Sequence, residues 1–248
     1  MQKLLSCLMA ILFAVNAFSQ EMTREFVVKN GDVVEHVLPL EFKYLLPEFT
    51  DMTIMDDSGN EYSGKLNVFL PGHTLRMIND RGDTLLVADQ EHISRVTSPD
   101  VTIIHAGKKY ATMIAGYGET TLSELCTVEL EYEQIIESTP RSGTASGNLD
   151  LQYSKTGSVQ IIKAPQLQKR HNPVPADSEI ILKCTYRIEY VLTHGDKIYP
   201  AGLKSFQKVF PASKSAIKDY VRTYRTYFNE RESVLNLFNY CVKLQEIM

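Results

Sequence analysis

Nucleophilic catalysis needs a thiol or hydroxyl held beside a base, and this chain offers few such pairings. Beyond the first twenty residues the thiols are Cys126, Cys184 and Cys241, and six histidines are scattered singly at His36, His73, His92, His105, His171 and His194. A thiol enzyme would require Cys184 or Cys126 to meet His194 or His105 across the fold, as catalytic groups assemble from distant positions. The opposing reading is burial, because Cys126 and Cys184 stand in β-type runs, Cys241 in a helical one, and free cysteine behaves as a small hydrophobe. Ser205-Phe206-Gln207-Lys208 and Ser215-Ala216-Ile217-Lys218 both match Ser-x-x-Lys, and Lys155-Thr156-Gly157 matches the lysine element of penicillin-recognising enzymes. Their order along the chain is the reverse of that family's, which speaks against the class.

Metal chemistry has no better footing. There is no His-Glu-x-x-His and no Cys-x-x-Cys, and most of the histidines fall in or beside turn-like segments, where solvated surface positions are expected. Asp56-Asp57-Ser58-Gly59-Asn60-Glu61 is the densest cluster of oxygen donors. It lacks the alternating spacing and distal glutamate of a calcium loop and reads as a hairpin turn. Gly-x-Ser-x-Gly elbows and phosphate-cradling glycine loops do not occur. The sequence assigns no catalytic residue, no cofactor-binding residue and no metal ligand.

The elements that would position any site fall into two regimes. From Met52 to Tyr132 short β-branched or aromatic runs alternate with turn residues: Thr53–Met55, Glu61–Leu70, Thr74–Ile78, Thr84–Val87, His92–Thr97, Val101–His105, Tyr110–Ile114 and Thr120–Tyr132. Glu179–Leu192 is another long β-type run, turning at Thr193-His194-Gly195-Asp196 into Lys197-Ile198-Tyr199. The tail then changes period: Ile217, Tyr220, Val221, Tyr224, Tyr227 and Phe228, and next Val234, Leu235, Phe238, Cys241 and Val242, fall three and four apart. Phe206 and Phe210 ahead of Pro211 suggest a short preceding helix, with Asn229 as the break or cap before the last one. The tyrosine stripe is expected to be core, since a phenol ring brings large apolar area. The fold class is therefore α+β: an antiparallel, β-rich small barrel or curved sheet followed by a C-terminal pair of amphipathic helices packed on it.

Met1-Gln2-Lys3 followed by the apolar run Leu4–Phe18 reads as a signal peptide, with Ala17-Phe18-Ser19 as the cleavage site and Gln20 as the new N-terminus, and Val15-Asn16-Ala17 as a second site of the same kind. Lipid attachment at Cys7 is rejected because no apolar segment precedes it. The divisions are residues 1–19 as signal peptide, 20–136 as the β-rich region, 137–178 as a loop-rich linker with edge strands over 149–162, and 179–248 as the long strand and helices. The stretch from Ser138 to Asn148 has little to bury and is expected to be a loop. Formal charge is −4 for the whole chain and, with Lys3 removed, −5 for the mature one, which argues against a nucleic-acid partner. No later segment is long and apolar enough to span a bilayer.

Two segments resemble a family of exported Bacteroidota proteins with no assigned activity. The first joins Ser58-Gly59-Asn60, Gly64-Lys65-Leu66-Asn67, Gly82-Asp83-Thr84-Leu85, His92-Ile93-Ser94-Arg95-Val96 and Lys108-Lys109-Tyr110. The second is Tyr199-Pro200, Lys204-Ser205-Phe206, Phe210-Pro211 and Ile217-Lys218-Asp219-Tyr220. Ser-Gly-Asn stands where the family usually has Asp-Gly. The resemblance implies envelope export and a β-then-helical layout, and no chemistry.

The expected function is that of an exported envelope protein, periplasmic, outer-membrane-associated or secreted, that binds or scaffolds without catalysis. Its expected partners are envelope proteins or a second copy of itself, with Arg141–Asn148 and the tail near Lys204, Lys214 and Lys218 as recognition surfaces, since loops on rigid scaffolds commonly carry binding. The competing readings are a small hydrolase or thiol enzyme, and a carrier whose curved sheet encloses a small molecule or lipid under the helices.

Overall fold

The structure, a computed structural model, describes residues 21–29, 32–134, 146–148 and 179–247. Its frame is one antiparallel sheet built from twelve strands: β1 (Glu21–Lys29), β2 (Thr50–Asp56), β3 (Glu61–Phe69), β4 (Thr74–Ile78), β5 (Thr84–Leu86), β6 (Ile93–Thr97), β7 (Thr102–Ala106), β8 (Lys109–Tyr117), β9 (Thr120–Gln134), β10 (Ser146–Asn148), β11 (Glu179–His194) and β12 (Lys197–Pro200). The spatial order is β1-β11-β9-β8-β7-β6-β2-β3-β4-β5, with β10 added to β9 and β12 to β11. Of the two forms the sequence allowed, this is the open curved sheet. The expected strands over 149–162 lie outside the described residues. Ser146–Asn148, expected in the loop, instead pairs with Glu131–Glu133 of β9.

Hairpin chemistry sets the meander. Asp56 accepts backbone N–H bonds from Ser58 and Asn60 at 2.9 Å each, and Asn60 Nδ2 donates to its other oxygen at 2.9 Å. Gly59 supplies the positive φ of 83° that closes the turn. These bonds hold the Asp56 carboxyl below the usual carboxylate range, Asn60 being the largest cause. The expected turn is confirmed, and its oxygens are committed to the chain itself. Asn79 and Asp83 repeat the same arrangement between β4 and β5.

The two long strands, β9 and β11, carry both layers of the core on one face. Leu130 pairs with Cys184 and Cys126 with Ile188, so the even-numbered side chains of both strands point the same way. At one end they pack under α1 (Val34–Val37) and α2 (Leu40–Lys43), where Val34 and Phe42 are fully buried against Val128, Ile180 and Leu182. At the other end Leu122, Tyr190 and Leu192 receive α3 (Leu203–Val209), α4 (Lys214–Tyr224) and α5 (Arg231–Ile247). Phe206, Ile217, Val234, Leu237, Phe238 and Cys241 fill the space between these helices and the sheet; Ile217, Val234, Phe238 and Cys241 belong to the expected helical stripe, whereas Leu237 does not, and Leu235 and Val242, which do, are only partly buried. A third cluster, with Met52, Leu66, Leu75, Val96 and Tyr110, occupies the β2–β8 half.

Curvature comes from two register shifts, at Met55/Asp56 and at Met113/Ala115, because a bulge bends its strand. The sheet curls until Leu70, in the single 3-10 turn between β3 and β4, packs in the same cluster as Val128 of β9. His73 closes that turn in a left-handed conformation, φ 45°.

Candidate functional site

The segment joining α2 to β2 forms one wall of a cleft of about 460 Å³ whose other wall is the start of β1. Met22, Leu40, Tyr44, Leu45, Pro47 and Tyr186 give it a mostly apolar lining, to which Glu41, paired with Arg24 at 3.0 Å, adds a carboxylate. Asn67 holds that wall in place. It is fully buried, accepts the Leu46 N–H at 3.0 Å, and donates to the Leu46 and Glu48 carbonyls at 2.9 and 3.0 Å. An amide that satisfies a loop's own backbone groups lets irregular chain lie against a sheet without unpaired polar atoms.

A buried ion pair locks the same region to the far half of the sheet. Arg76 of β4 donates to Glu35 of α1 at 2.6 Å, with side chains 3% and 14% exposed, and its guanidinium lies 3.8 Å from the centre of the Phe69 ring. Tyr44 donates to the same Glu35 oxygen at 3.3 Å. Burial first, and then the Glu35 charge, pushes the Tyr44 phenol above its ordinary value.

Behind the cleft a polar chain runs between the two halves of the core. Tyr186 donates to Cys126 Sγ at 3.1 Å, the Cys126 thiol lies 3.9 Å from Glu124 Oε1, and Glu124 Oε2 lies 3.8 Å from Arg231 Nε. Burial pushes the Cys126 thiol up to about 11, so the sulfur is protonated rather than nucleophilic at neutral pH. Cys184 and Cys241 are pushed to about 12 by the same cause. Among the described residues all three thiols are free, and all are buried.

Neither histidine considered for a thiol pair reaches a cysteine. His194 is opposite Thr120, and its Nδ1 shares a 2.8 Å bond with Thr120 Oγ1. Cys126 is six residues from Thr120, roughly 20 Å along the strand, and Cys184 is ten residues from His194, roughly 33 Å. His105 packs edge-on against Tyr110, with ring centres 4.5 Å apart, and among the described residues its buried Nε2 has no hydrogen-bond partner.

His73 and His105 correct the expectation of solvated histidines. His73 follows a turn, yet the turn folds onto the sheet and buries its Nδ1; burial, with Lys109 adding to it, lowers its pKa to about 4. His36, His92 and His194 are exposed as expected, and His171 lies outside the described residues. Among the described residues no group of three His, Cys, Asp or Glu side chains is placed to hold a metal.

Of the recognition surfaces read from the sequence, residues 141–145 lie outside the described residues, while Lys204, Lys214 and Lys218 are exposed on α3 and α4. The tyrosine stripe divides. Tyr220 stacks on Tyr240 at 4.4 Å, whereas Tyr224 and Tyr227 are 68% and 55% exposed, which corrects the expectation that the stripe is core. Asn229 lies in the break between α4 and α5, but the hydroxyl that caps the break is that of Ser233, which accepts the Tyr227 N–H at 2.8 Å. Sequence reasoning passed over the cleft, Asn67 and the Arg76–Glu35 pair. Only the Gly-Lys-Leu-Asn run carried a sign of one of them.

No protein-family model, curated protein or solved structure matches the chain. Among the described residues no helix is long and apolar enough to cross a membrane.

Proposed function

We propose that the protein is an exported envelope protein that binds a partner without catalysis, and that it takes an extended, apolar-rich segment of another protein along β1. The carrying observation is an apolar cleft of about 460 Å³ beside a nine-residue strand that ends the sheet. Among the described residues no strand pairs with the outer side of β1, and an edge strand offers unused N–H and C=O groups to an incoming chain. Leu40, 57% exposed, and Met22, 36% exposed, give the cleft mouth apolar surface for a side chain of the incoming segment. The opposite face of β1 is ruled by charge: Arg187 of β11 pairs with both Glu21 and Glu129, which favours solvent there over a second sheet.

The test is site-specific photo-crosslinking in the producing cell, with the photoreactive residue at position 40 or, as control, at the exposed Tyr62 of β3. A protein adduct formed from position 40 and absent from position 62 is the expected result. Equal adducts from both positions, or none from position 40, overturn the reading. Mass spectrometry of the same material should give an N-terminus at Gln20; retained Met1 would remove the export part of the proposal.

A further inference from the structure

The tail concentrates positive charge in a protein whose formal net charge is −4. Between Gly202 and Arg225 it carries Lys204, Lys208, Lys214, Lys218, Arg222 and Arg225 against a single acid, Asp219. All six basic residues are exposed. In α4, Lys214, Lys218 and Arg222 repeat every fourth residue and so form one stripe, while Ile217, Tyr220 and Val221 turn toward the sheet. Asp219 is taken up by Arg222 at 3.3 Å. In α3, Lys204 and Lys208 are also four apart, and Gln207 bonds the Lys214 carbonyl at 3.0 Å, which joins the two helices.

Exposed aromatic surface adjoins this charge. Arg225 ends α4 in a left-handed conformation, φ 50°, and the chain on either side presents Tyr224 and Tyr227 to solvent. A phenol with an apolar ring and a polar tip suits the headgroup level of a bilayer, and basic residues beside it suit anionic headgroups. Soluble polyanions share the charge preference but give the two tyrosines no apolar layer to enter.

We infer that the α3–α4 face is a peripheral docking surface for a bilayer rich in anionic phospholipid, with Tyr224 and Tyr227 entering the headgroup layer. The attraction is local, because the molecule as a whole is acidic and is repelled by such a surface. Docking of this kind leaves the cleft beside β1 out of the contact, so it does not depend on the partner proposed there.

Flotation of the purified protein with vesicles tests it, using phosphatidylcholine alone and phosphatidylcholine with one quarter phosphatidylglycerol. Binding to the anionic vesicles at low salt, its loss at 0.5 M salt, and little binding to neutral vesicles are expected, since exposed charge is screened within roughly 4 Å at that ionic strength. Removing Lys214 and Lys218 together, as Lys214→Ala with Lys218→Ala, should weaken binding roughly 25-fold, about fivefold for each cation. Neutralising Lys65 and Lys108, exposed elsewhere on the sheet, should leave it unchanged. The chain has no tryptophan, so Tyr224→Trp makes a sole reporter whose emission should shift to the blue on the vesicles. Equal binding to neutral vesicles, an equal loss from the Lys65 and Lys108 control, an unshifted tryptophan, or capture by dextran sulfate without vesicle binding would each overturn the inference. Matching urea transitions for the variants keep a folding defect from imitating a binding one.

Discussion

Glu35 and Arg76 allow the strongest test of how the N-terminal layer is held. Changing Glu35 to glutamine keeps the shape of the side chain and an acceptor for the Tyr44 hydroxyl, but removes the charge 2.6 Å from a guanidinium whose side chain is 3% exposed. Breaking one member of a buried pair costs about 3–5 kcal/mol, because the remaining charge has already lost its water. The low end applies here. The Phe69 ring still faces the cation at 3.8 Å, and Glu35 keeps 14% of its surface in solvent. A loss of about 3 kcal/mol is therefore expected, a large share of the 5–15 kcal/mol that holds a typical domain. Urea unfolding followed by far-ultraviolet circular dichroism gives the number, read from the midpoint at unchanged m-value. Replacing both partners, Glu35→Leu with Arg76→Met, should recover most of the loss, since no desolvated charge is then left behind. A Glu35→Gln variant within about 0.5 kcal/mol of the parent, or a double variant less stable than Glu35→Gln alone, would refute the argument.

Two further outcomes follow from buried titratable groups. His73 has a pKa of about 4 in the fold against an ordinary 6.5, so its neutral form is what the fold stabilises. Its contribution is complete above pH 6.5 and is lost as pH falls toward 4, at most about 3 kcal/mol from a shift of that size. His73→Asn, which tolerates the left-handed backbone, should remove that part of the acid loss, measured as a flatter stability-against-pH curve between pH 6.5 and 4. Cys126, Cys184 and Cys241 should all resist iodoacetamide at pH 8 until the protein is unfolded in urea, because burial holds the thiols protonated. Rapid labelling of Cys126 in the native protein, counted by mass, would show instead that the cleft opens to the sulfur.

The strand series from Met52 to Tyr132 is legible because its turns are written in local chemistry: Asp56 with Asn60, Asn79 with Asp83, and glycines where φ is positive. The tail helices are legible because Val234, Phe238 and Cys241 repeat at helical spacing and are all buried, although the core also takes Leu237, outside the expected stripe, and leaves Leu235 and Val242 only partly covered. β1 is not. Glu21, Arg24, Glu25 and Lys29 obscure its alternation, and its partners on β11 lie 150 to 166 residues away, so no short-range signal marks it. The cleft and its lock are hidden for the same reason. Glu35 and Arg76 are 41 residues apart, and nothing in either neighbourhood announces that both will be buried. Asn67 sits in a strand where an amide is unfavourable by propensity, a local conflict that the backbone groups of Leu46 and Glu48 resolve only once the chain has folded. His73 misled because a turn residue is ordinarily solvated, and here the turn is pressed against β9.

The seating of β1 against β11 also fixes an order of assembly. A chain that emerges from its amino end releases β1 first, but the strand it must join begins only at Glu179. The strands from β2 to β9 can pair among themselves, β2 to β5 as successive hairpins and β6 to β9 as a second set that joins through β6 to β2, while β1 waits without a place, and the layer of α1 and α2 waits with it. Late closure across so long a loop is slow, and during that interval the flank of β9 that β11 will cover stays open to other chains. Any fragment ending before Glu179 keeps that flank open for good, so truncation from the carboxyl end should yield aggregates rather than a smaller folded unit.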